Sequence, residues 1–144
     1  MRRKKTTTII FHHSLADWSP AYMIEIWHKM KGWSGIGYAF VIRKDGTMEH
    51  GRDIDEVGAH AFGRNKTSIG ICMEGDFRKY EPTLEQLNAC AKIYHDACRR
   101  YSKSLKIQFH RKWPNPCPGR MLDRNDFLEV VKRADPFIVP RIYI

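Results

Sequence analysis

The chain contains 144 residues, 42% hydrophobic and 12% aromatic, and this composition excludes a disordered or collagen-like protein. Its 25 Lys and Arg against 16 Asp and Glu give a net charge of +9, which suits an acidic partner such as nucleic acid, an anionic membrane or a cell-wall polymer. No apolar run approaches the ~18–20 residues of a membrane span. The apolar stretch after the basic start, Ile9–Phe11, is too short for a signal peptide, so we expect synthesis in the cytoplasm without export by a signal peptide.

Hydrophobic periodicity and turn residues predict a mixed order of strands and helices. In chain order these are a strand over 6–12, a helix from Ser19 to near Gly32, a hairpin of strands 38–42 and 47–50, a loop over 53–66, a strand over 68–73, a helix from Thr83 to about Tyr101, a strand over 105–109 and a helix over 126–134. This order indicates an α/β fold with a mixed central sheet flanked by helices. The length indicates a single domain over 1–144, with its core over about 6–134 and an apolar tail over 137–144.

Capping signals begin both of the longer helices. Ser19 is predicted as the N-cap of the first, with Pro20 at the first helical position, and Thr83 with Gln86 forms a capping box for the second. In the first helix the residues predicted to form one apolar face are Met23, Ile26, Trp27 and Met30.

Three of the four cysteines are expected to be reduced thiols. Cys90 and Cys98 are eight residues apart in a predicted helix, so about 12 Å separates them along its axis. That exceeds the ~7 Å Cα limit for a disulfide. With Cys72 they are best explained as buried thiols of a protein made in a reducing compartment.

A candidate metal site combines two histidines with the fourth cysteine. His12 and His110 each lie where a predicted strand ends, and Cys117 follows seven residues after His110. Two imidazoles and a thiolate suit Zn²⁺ and leave a fourth position for a catalytic water. The spacing alone is not a standard zinc signature, and structural histidines with a buried thiol remain the alternative on that basis.

Six ordered segments over most of the chain carry recognisable motifs: Ile9–Ser14 (IIFHHS), Gly32–Ile42 (GWSGIGYAFVI), Asp45–Arg52 (DGTMEHGR), Val57–Ala61 (VGAHA), Gly63–Ile71 (GRNKTSIGI), and His110-Arg111 with Cys117-Pro118-Gly119. Together these motifs resemble those of the type-2 N-acetylmuramoyl-L-alanine amidases, a superfamily that includes short phage lysozyme-type amidases and peptidoglycan recognition proteins. The resemblance implies the fold of that superfamily, peptidoglycan as partner and Zn²⁺ as cofactor, with His12, His110 and Cys117 as ligands. His13, one step along the strand, should point to the other face of the sheet.

The resemblance also implies roles for residues around the metal. Tyr38 occupies the position of the catalytic tyrosine, although a core aromatic is the alternative. His60 would line the substrate groove. Asn65 would support that loop or bind the peptide stem, with a simple turn residue as the alternative.

Two further catalytic candidates depart from the family pattern. Many phage relatives carry lysine, and recognition proteins threonine, two residues before the ligand cysteine, where this chain has Asn115. An uncharged amide could still donate a hydrogen bond to an oxyanion. Some branches use a glutamate of the strand over 68–73 as general base; Cys72 stands closest to that position and Glu74 follows two residues later. For Glu74 a strand-end carboxylate facing water is the favoured interpretation.

These features lead to one main hypothesis and two alternatives. The main hypothesis is a monomeric zinc amidase that cleaves the lactyl–L-alanine bond of peptidoglycan, a phage or prophage endolysin released to the cell wall by a separate membrane protein. The first alternative is a non-catalytic peptidoglycan receptor on the same fold. The second is a basic nucleic-acid-binding protein, which is disfavoured because no nucleic-acid-binding motif is present.

Overall fold

The protein is described by a computed structural model over residues 1–110, 118–119 and 121–133. Within these residues the strands are β1 (Thr8–His13), β2 (Phe40–Ile42), β3 (Met48–His50), β4 (Ser68–Met73) and β5 (Lys106–Phe109), and the helices are α1 (Ala21–Met30), α2 (Leu84–Tyr101) and α3 (Arg124–Arg133). Each predicted strand and helix is therefore present, with bounds shifted by up to two residues where the described part allows comparison. None of the helices in this part of the chain is long and apolar enough to traverse a bilayer.

The strands form one five-stranded sheet in the order β3-β2-β4-β1-β5. β1 lies between β4 and β5 and is parallel to both, β2 is parallel to β4, and β3 returns antiparallel beside β2. All six residues of β1 and of β4 are buried, as expected for parallel strands covered on both faces. The mixed α/β fold expected from the sequence is confirmed.

The alternation of side chains divides the core into two clusters. On one face Ile9 and Phe11 of β1 pack with the apolar sides of α2 and α3, including Phe127. On the other face Val41 of β2 and Cys72 of β4 pack with Ile24 of α1. Because successive side chains of a strand point to opposite faces, neighbouring residues of β2 and β4 serve different clusters.

The predicted start of α1 is wrong by one residue. Pro20, not Ser19, is the N-cap, with φ −62° and ψ 160° and no side-chain capping hydrogen bond. Ser19 is instead buried, and its hydroxyl donates to the Ser14 hydroxyl at 2.6 Å. The serine side chain is thus used to hold the loop after β1 rather than to cap the helix.

The predicted apolar face of α1 is confirmed for Trp27, which packs against the cluster of Ile24, Val41 and Cys72, and is wrong for Ile26 and Met30. Ile26 and Met30 are 48% and 80% exposed, whereas Ile24 and His28 are buried. The prediction used the periodicity of apolar residues only. The inward side of α1 includes His28, a polar residue whose ring nitrogen is hydrogen-bonded. The inward face is therefore rotated about the helix axis relative to the prediction.

The predicted beginning of α2 and the state of three cysteines are confirmed. Thr83 and Gln86 form the reciprocal capping box, and the Gln86 side chain also donates to the carbonyls of Ile42 and Glu74. Cys72, Cys90 and Cys98 are free thiols; Cys72 and Cys90 are buried as predicted, whereas Cys98 is half-buried. The capping residues therefore also tie α2 to the ends of β2 and β4.

Candidate active site

Strand pairing brings His12 and His110 together at one edge of the sheet. Phe11 of β1 pairs with Phe109 of β5, so the next residues along the two parallel strands are neighbours. The His110 backbone N–H donates to the carbonyl of Phe11 at 3.4 Å, and the rings of His12 and His110 lie 4.6 Å apart. The carboxyl ends of parallel strands are the usual place for ligand sites in open α/β sheets.

His12 is enclosed by aromatic side chains. Its ring is 5.0 Å from that of Tyr38 and 5.0 Å from that of His60, and the side chain is only 1% exposed. Burial is the largest cause that lowers the pKa of His12 well below its usual value, followed by the nearby His60 and His110. His12 is therefore a neutral imidazole, the form that binds a metal ion.

The neighbouring histidine has a different environment, as expected. His13 lies on the opposite face of β1, where its Nδ1 accepts a hydrogen bond from the Phe77 backbone N–H at 3.1 Å. Its ring packs 5.8 Å from that of Phe77, inside the larger apolar cluster. The prediction that the two adjacent histidines point to opposite faces is confirmed.

His60 reaches His12 from the loop before β4. Its Nδ1 lies 2.9 Å from His12 Nε2, its Nε2 lies 3.3 Å from the Ser68 hydroxyl, and its side chain is 8% exposed. Burial lowers the pKa of His60 from 6.5 to about 3. The ring is packed against a candidate metal ligand, and its predicted contact with substrate stays a prediction.

Asn65 and a glycine position the loop that carries His60. The Asn65 Oδ1 accepts hydrogen bonds from the backbone N–H groups of His60 and Ala61, both at 2.9 Å. A Cβ at Gly37 would lie 1.9 Å from the carbonyl oxygen of Ala59, so only glycine permits this approach of the loop to the segment before β2. Of the roles considered for Asn65, support of the loop is confirmed, while contact with a peptide stem stays a prediction.

His28 was missed by the sequence analysis and helps to place Tyr38. Its buried Nδ1 accepts a hydrogen bond from the Gly37 backbone N–H at 2.9 Å, and its ring lies 5.4 Å from that of Tyr38. Burial is the largest cause that lowers the pKa of His28 from 6.5 to about 4, so the ring is neutral and can accept. His28 lies four residues after Ile24 on α1, and this spacing was the signal in the sequence that it faces inward. The sequence analysis missed it because an apolar pattern does not include histidine.

Glu74 has a structural environment rather than the water-facing one favoured from the sequence. It is 3% exposed, and its carboxylate accepts hydrogen bonds from the backbone N–H groups of Ser19 and Lys44 and from Arg43 Nε at 2.9 Å. The interpretation as an exposed strand-end carboxylate is wrong, because these three donors fix it within the fold. Among the described residues, none of the hydrogen bonds of the Glu74 carboxylate reaches His12, Tyr38, His60 or His110. A catalytic role for Glu74 stays a prediction.

The remaining site residues, Asn115 and Cys117, lie outside the described residues, as does the predicted tail over 137–144. Within residues 1–110, 118–119 and 121–133, no group of three or more His, Cys, Asp or Glu side chains is arranged to hold a metal ion. His12 and His110 do fit the donor set of zinc, because their rings are adjacent and His12 is held neutral. Such a pair with one further ligand can hold a Lewis acid near the ring of Tyr38, which is an arrangement for hydrolysis of an amide or ester.

Comparison with known proteins agrees with this geometry. The chain is 41% identical over 106 residues to an endolysin of Enterobacteria phage K11, covering 70% of each protein. Its structure matches the N-acetylmuramoyl-L-alanine amidase LysC from Clostridium intestinale URNW with a TM-score of 0.82, at 31% identity and covering 89% of this chain and 86% of that one. Drosophila PGRP-LB matches with a TM-score of 0.74, at 27% identity and covering 98% and 88%. Since residues 2–120 also match the family model for N-acetylmuramoyl-L-alanine amidase, the chain belongs to that family.

Proposed function

We propose that the protein is a zinc-dependent N-acetylmuramoyl-L-alanine amidase that hydrolyses the amide between the lactyl group of peptidoglycan and L-alanine. The observation that carries this proposal is the adjacency of the His12 and His110 rings, 4.6 Å apart at the carboxyl ends of β1 and β5, beside Tyr38. Family membership and the amidase and endolysin relatives support the same reaction. His12, His110 and Cys117 are the proposed ligands.

The chain supplies the metal position and the polar groups around it. When bound, zinc would polarise the amide carbonyl and lower the pKa of a water ligand to ~7. His12 is neutral and buried, so it adds no charge that would repel a cation. Tyr38 is packed between the rings of His12 and His28, where its hydroxyl would donate to the carbonyl oxygen as negative charge develops. Asn115 is a second proposed donor to that oxygen.

We further propose that the protein is a phage or prophage endolysin that reaches the cell wall after release by a separate membrane protein. Its similarity to the endolysin of phage K11 over 70% of both chains supports this role. The net charge of +9 would favour approach to an acidic wall polymer.

The test is digestion of purified peptidoglycan by zinc-loaded and chelator-treated protein, with mass analysis of the products. We expect metal-dependent release of peptides beginning with L-alanine and intact glycan strands. His50→Ala is the matched control for removal of a proposed histidine ligand such as His12. His50 is an exposed histidine at the end of β3, so its substitution should leave release unchanged. Release at full rate after the metal is removed, or cleavage of the glycan, would contradict the proposal.

The likeness to Drosophila PGRP-LB, a peptidoglycan-recognition protein, supports recognition of peptidoglycan by this fold. The second candidate is therefore a peptidoglycan receptor that binds the wall without cleaving it. The same experiment separates the two functions. If zinc-loaded protein binds wall material but releases no peptide, the protein is a receptor. Asn115, which replaces the lysine or threonine of the family pattern, would then be the first residue to examine as the cause of the missing activity.

A further inference from the structure

His60 and Ser68 form a chain of hydrogen bonds that ends at His12. His12 Nε2 lies 2.9 Å from His60 Nδ1, and His60 Nε2 lies 3.3 Å from the Ser68 hydroxyl. The Ser68 hydroxyl is also 2.7 Å from the carbonyl oxygen of Arg64, to which it donates. The direction of each hydrogen bond follows from counting the hydrogens that these groups can supply.

Ser68 decides which nitrogen of His60 carries hydrogen. A hydroxyl has a single hydrogen, and a carbonyl can only accept, so the shorter contact to Arg64 uses that hydrogen. The Ser68 oxygen can then only accept from His60 Nε2.

The hydrogen on His60 Nε2 determines the tautomer of His12. A hydrogen bond between two ring nitrogens needs one donor and one acceptor, so at least one of the two rings is neutral. With its hydrogen on Nε2, the neutral His60 accepts at Nδ1, and His12 must donate from Nε2. The lone pair of neutral His12 is then on Nδ1. The reverse arrangement would require Ser68 to donate to His60, but its hydrogen is used by Arg64.

The His60 ring is also held in place sterically. A Cβ at Gly70 would lie 2.4 Å from Cγ of His60, and one at Gly58 would lie 2.8 Å from its Cδ2, so both glycines make room for the imidazole. The backbone N–H of His60 donates to Asn65. Because the ring is confined between β4 and its own loop, it presents Nδ1 to His12 in one orientation.

We propose that His60 and Ser68 are positioning residues that fix His12 as the Nε2–H tautomer, so that His12 binds zinc through Nδ1. This inference rests on the proposed zinc amidase function. Groups that hydrogen-bond a metal-binding histidine fix its ring and raise its basicity, and their loss typically weakens metal binding by about 10–100-fold. The role differs from the predicted one, in which His60 contacts substrate.

The first test uses the wild-type protein without metal. Long-range ¹H–¹⁵N correlation spectra of the imidazoles report which nitrogen of each histidine carries hydrogen. We expect His12 and His60 both to carry it on Nε2. Hydrogen on Nδ1 of His12 would overturn the proposal, and this measurement depends on neither zinc binding nor enzymatic activity.

The second test measures zinc affinity by competition with a chelator. His60→Leu removes the acceptor and should weaken binding about 10–100-fold. His60→Asn keeps a carbonyl oxygen near the position of Nδ1 and should restore part of the affinity, and Ser68→Ala should give a smaller loss than His60→Leu. His50→Leu makes the same substitution at an exposed histidine and should bind as the wild type does.

The outcomes separate this inference from the proposed function. Wild-type affinity in a folded His60→Leu protein would overturn the positioning role while leaving the amidase proposal in place. Wild-type protein that binds no zinc would overturn the proposed function and the Nδ1 ligation together, whereas the imidazole spectra would still decide the direction of the hydrogen bonds.

Discussion

The two faces of the central sheet are built by different rules. On the face covered by α2 and α3, Phe11 packs edge-to-face against Phe127 with ring centroids 4.9 Å apart, inside an apolar cluster. On the other face, His12 is packed among Tyr38, His60 and His110, whose polar atoms need partners. The comparison shows how one strand, β1, can stabilise the fold with one set of side chains and hold the candidate site with the alternate set.

The sharpest way to break this comparison is to remove each of the two adjacent histidines of β1. His12→Ala should lower peptide release by roughly 10³-fold or more, since losing a proposed metal ligand would remove several kcal/mol of transition-state stabilisation. His13→Ala should retain release per folded molecule but lower the free energy of unfolding by about 1–3 kcal/mol, because the buried N–H of Phe77 loses its acceptor. Peptide-release assays and urea titrations of the two variants check both expectations. Equal losses of peptide release in His12→Ala and His13→Ala would refute the division of β1 into a structural face and a site-forming face.

The apolar face is tested by truncating its central ring. Phe127→Ala should destabilise the protein by about 3–5 kcal/mol, because it leaves a cavity beside Phe11 and Phe109. The free energy of unfolding from chemical denaturation measures this loss. A destabilisation below about 1 kcal/mol would show that α3 contributes little to the core.

A smaller effect is expected from one hydroxyl on the polar face. Tyr38→Phe should lower kcat about 10²-fold if the hydroxyl donates to the developing oxyanion, with little change in KM or in stability. Tyr22→Phe is the matched control, because Tyr22 is an exposed tyrosine on α1. Similar rates for the Tyr38 variant and the wild type would restrict Tyr38 to a packing role.

The smallest effect is expected away from both faces, where the loop after β3 contacts the end of α2. The hydrogen bond from Arg100 is the largest cause that lowers the pKa of Asp55 from 3.8 to about 2. Because the folded state lowers this pKa, its contribution to stability is present above about pH 4 and is lost as the pH falls towards 2. Asp55→Asn should therefore cost about 1 kcal/mol near neutral pH, a modest value because the ion pair is partly exposed.

Thermal unfolding of the Asp55 variant and the wild type across pH 2–7 measures this contribution. The difference between their stabilities should shrink through the window from pH 4 to 2. A difference that does not change with pH would show that the charge of Asp55 contributes nothing to stability.

The sequence analysis succeeded where short-range rules apply and failed where polar side chains are buried. Alternation along β1 correctly placed His12 and His13 on opposite faces, and the Thr83–Gln86 capping box correctly marked the start of α2. The inward face of α1 was partly misassigned because the pattern gives no weight to His28, which is buried through a hydrogen bond to Gly37. Glu74 was misassigned for a similar reason, since its donors come from two other segments of the chain.

The sequence by itself determined the order of strands and helices, the free cysteines of the described part and the ordered motifs that resemble the amidases. The sequence also predicted His12 and His110 as ligands of one metal ion. Only the tertiary structure decided that β1 lies between β4 and β5 and that the His60 ring is hydrogen-bonded to His12. Periodicity, caps and turns depend on residues a few positions apart. Strand neighbours and hydrogen bonds between buried polar groups depend on contacts across the whole chain, which a local pattern does not contain.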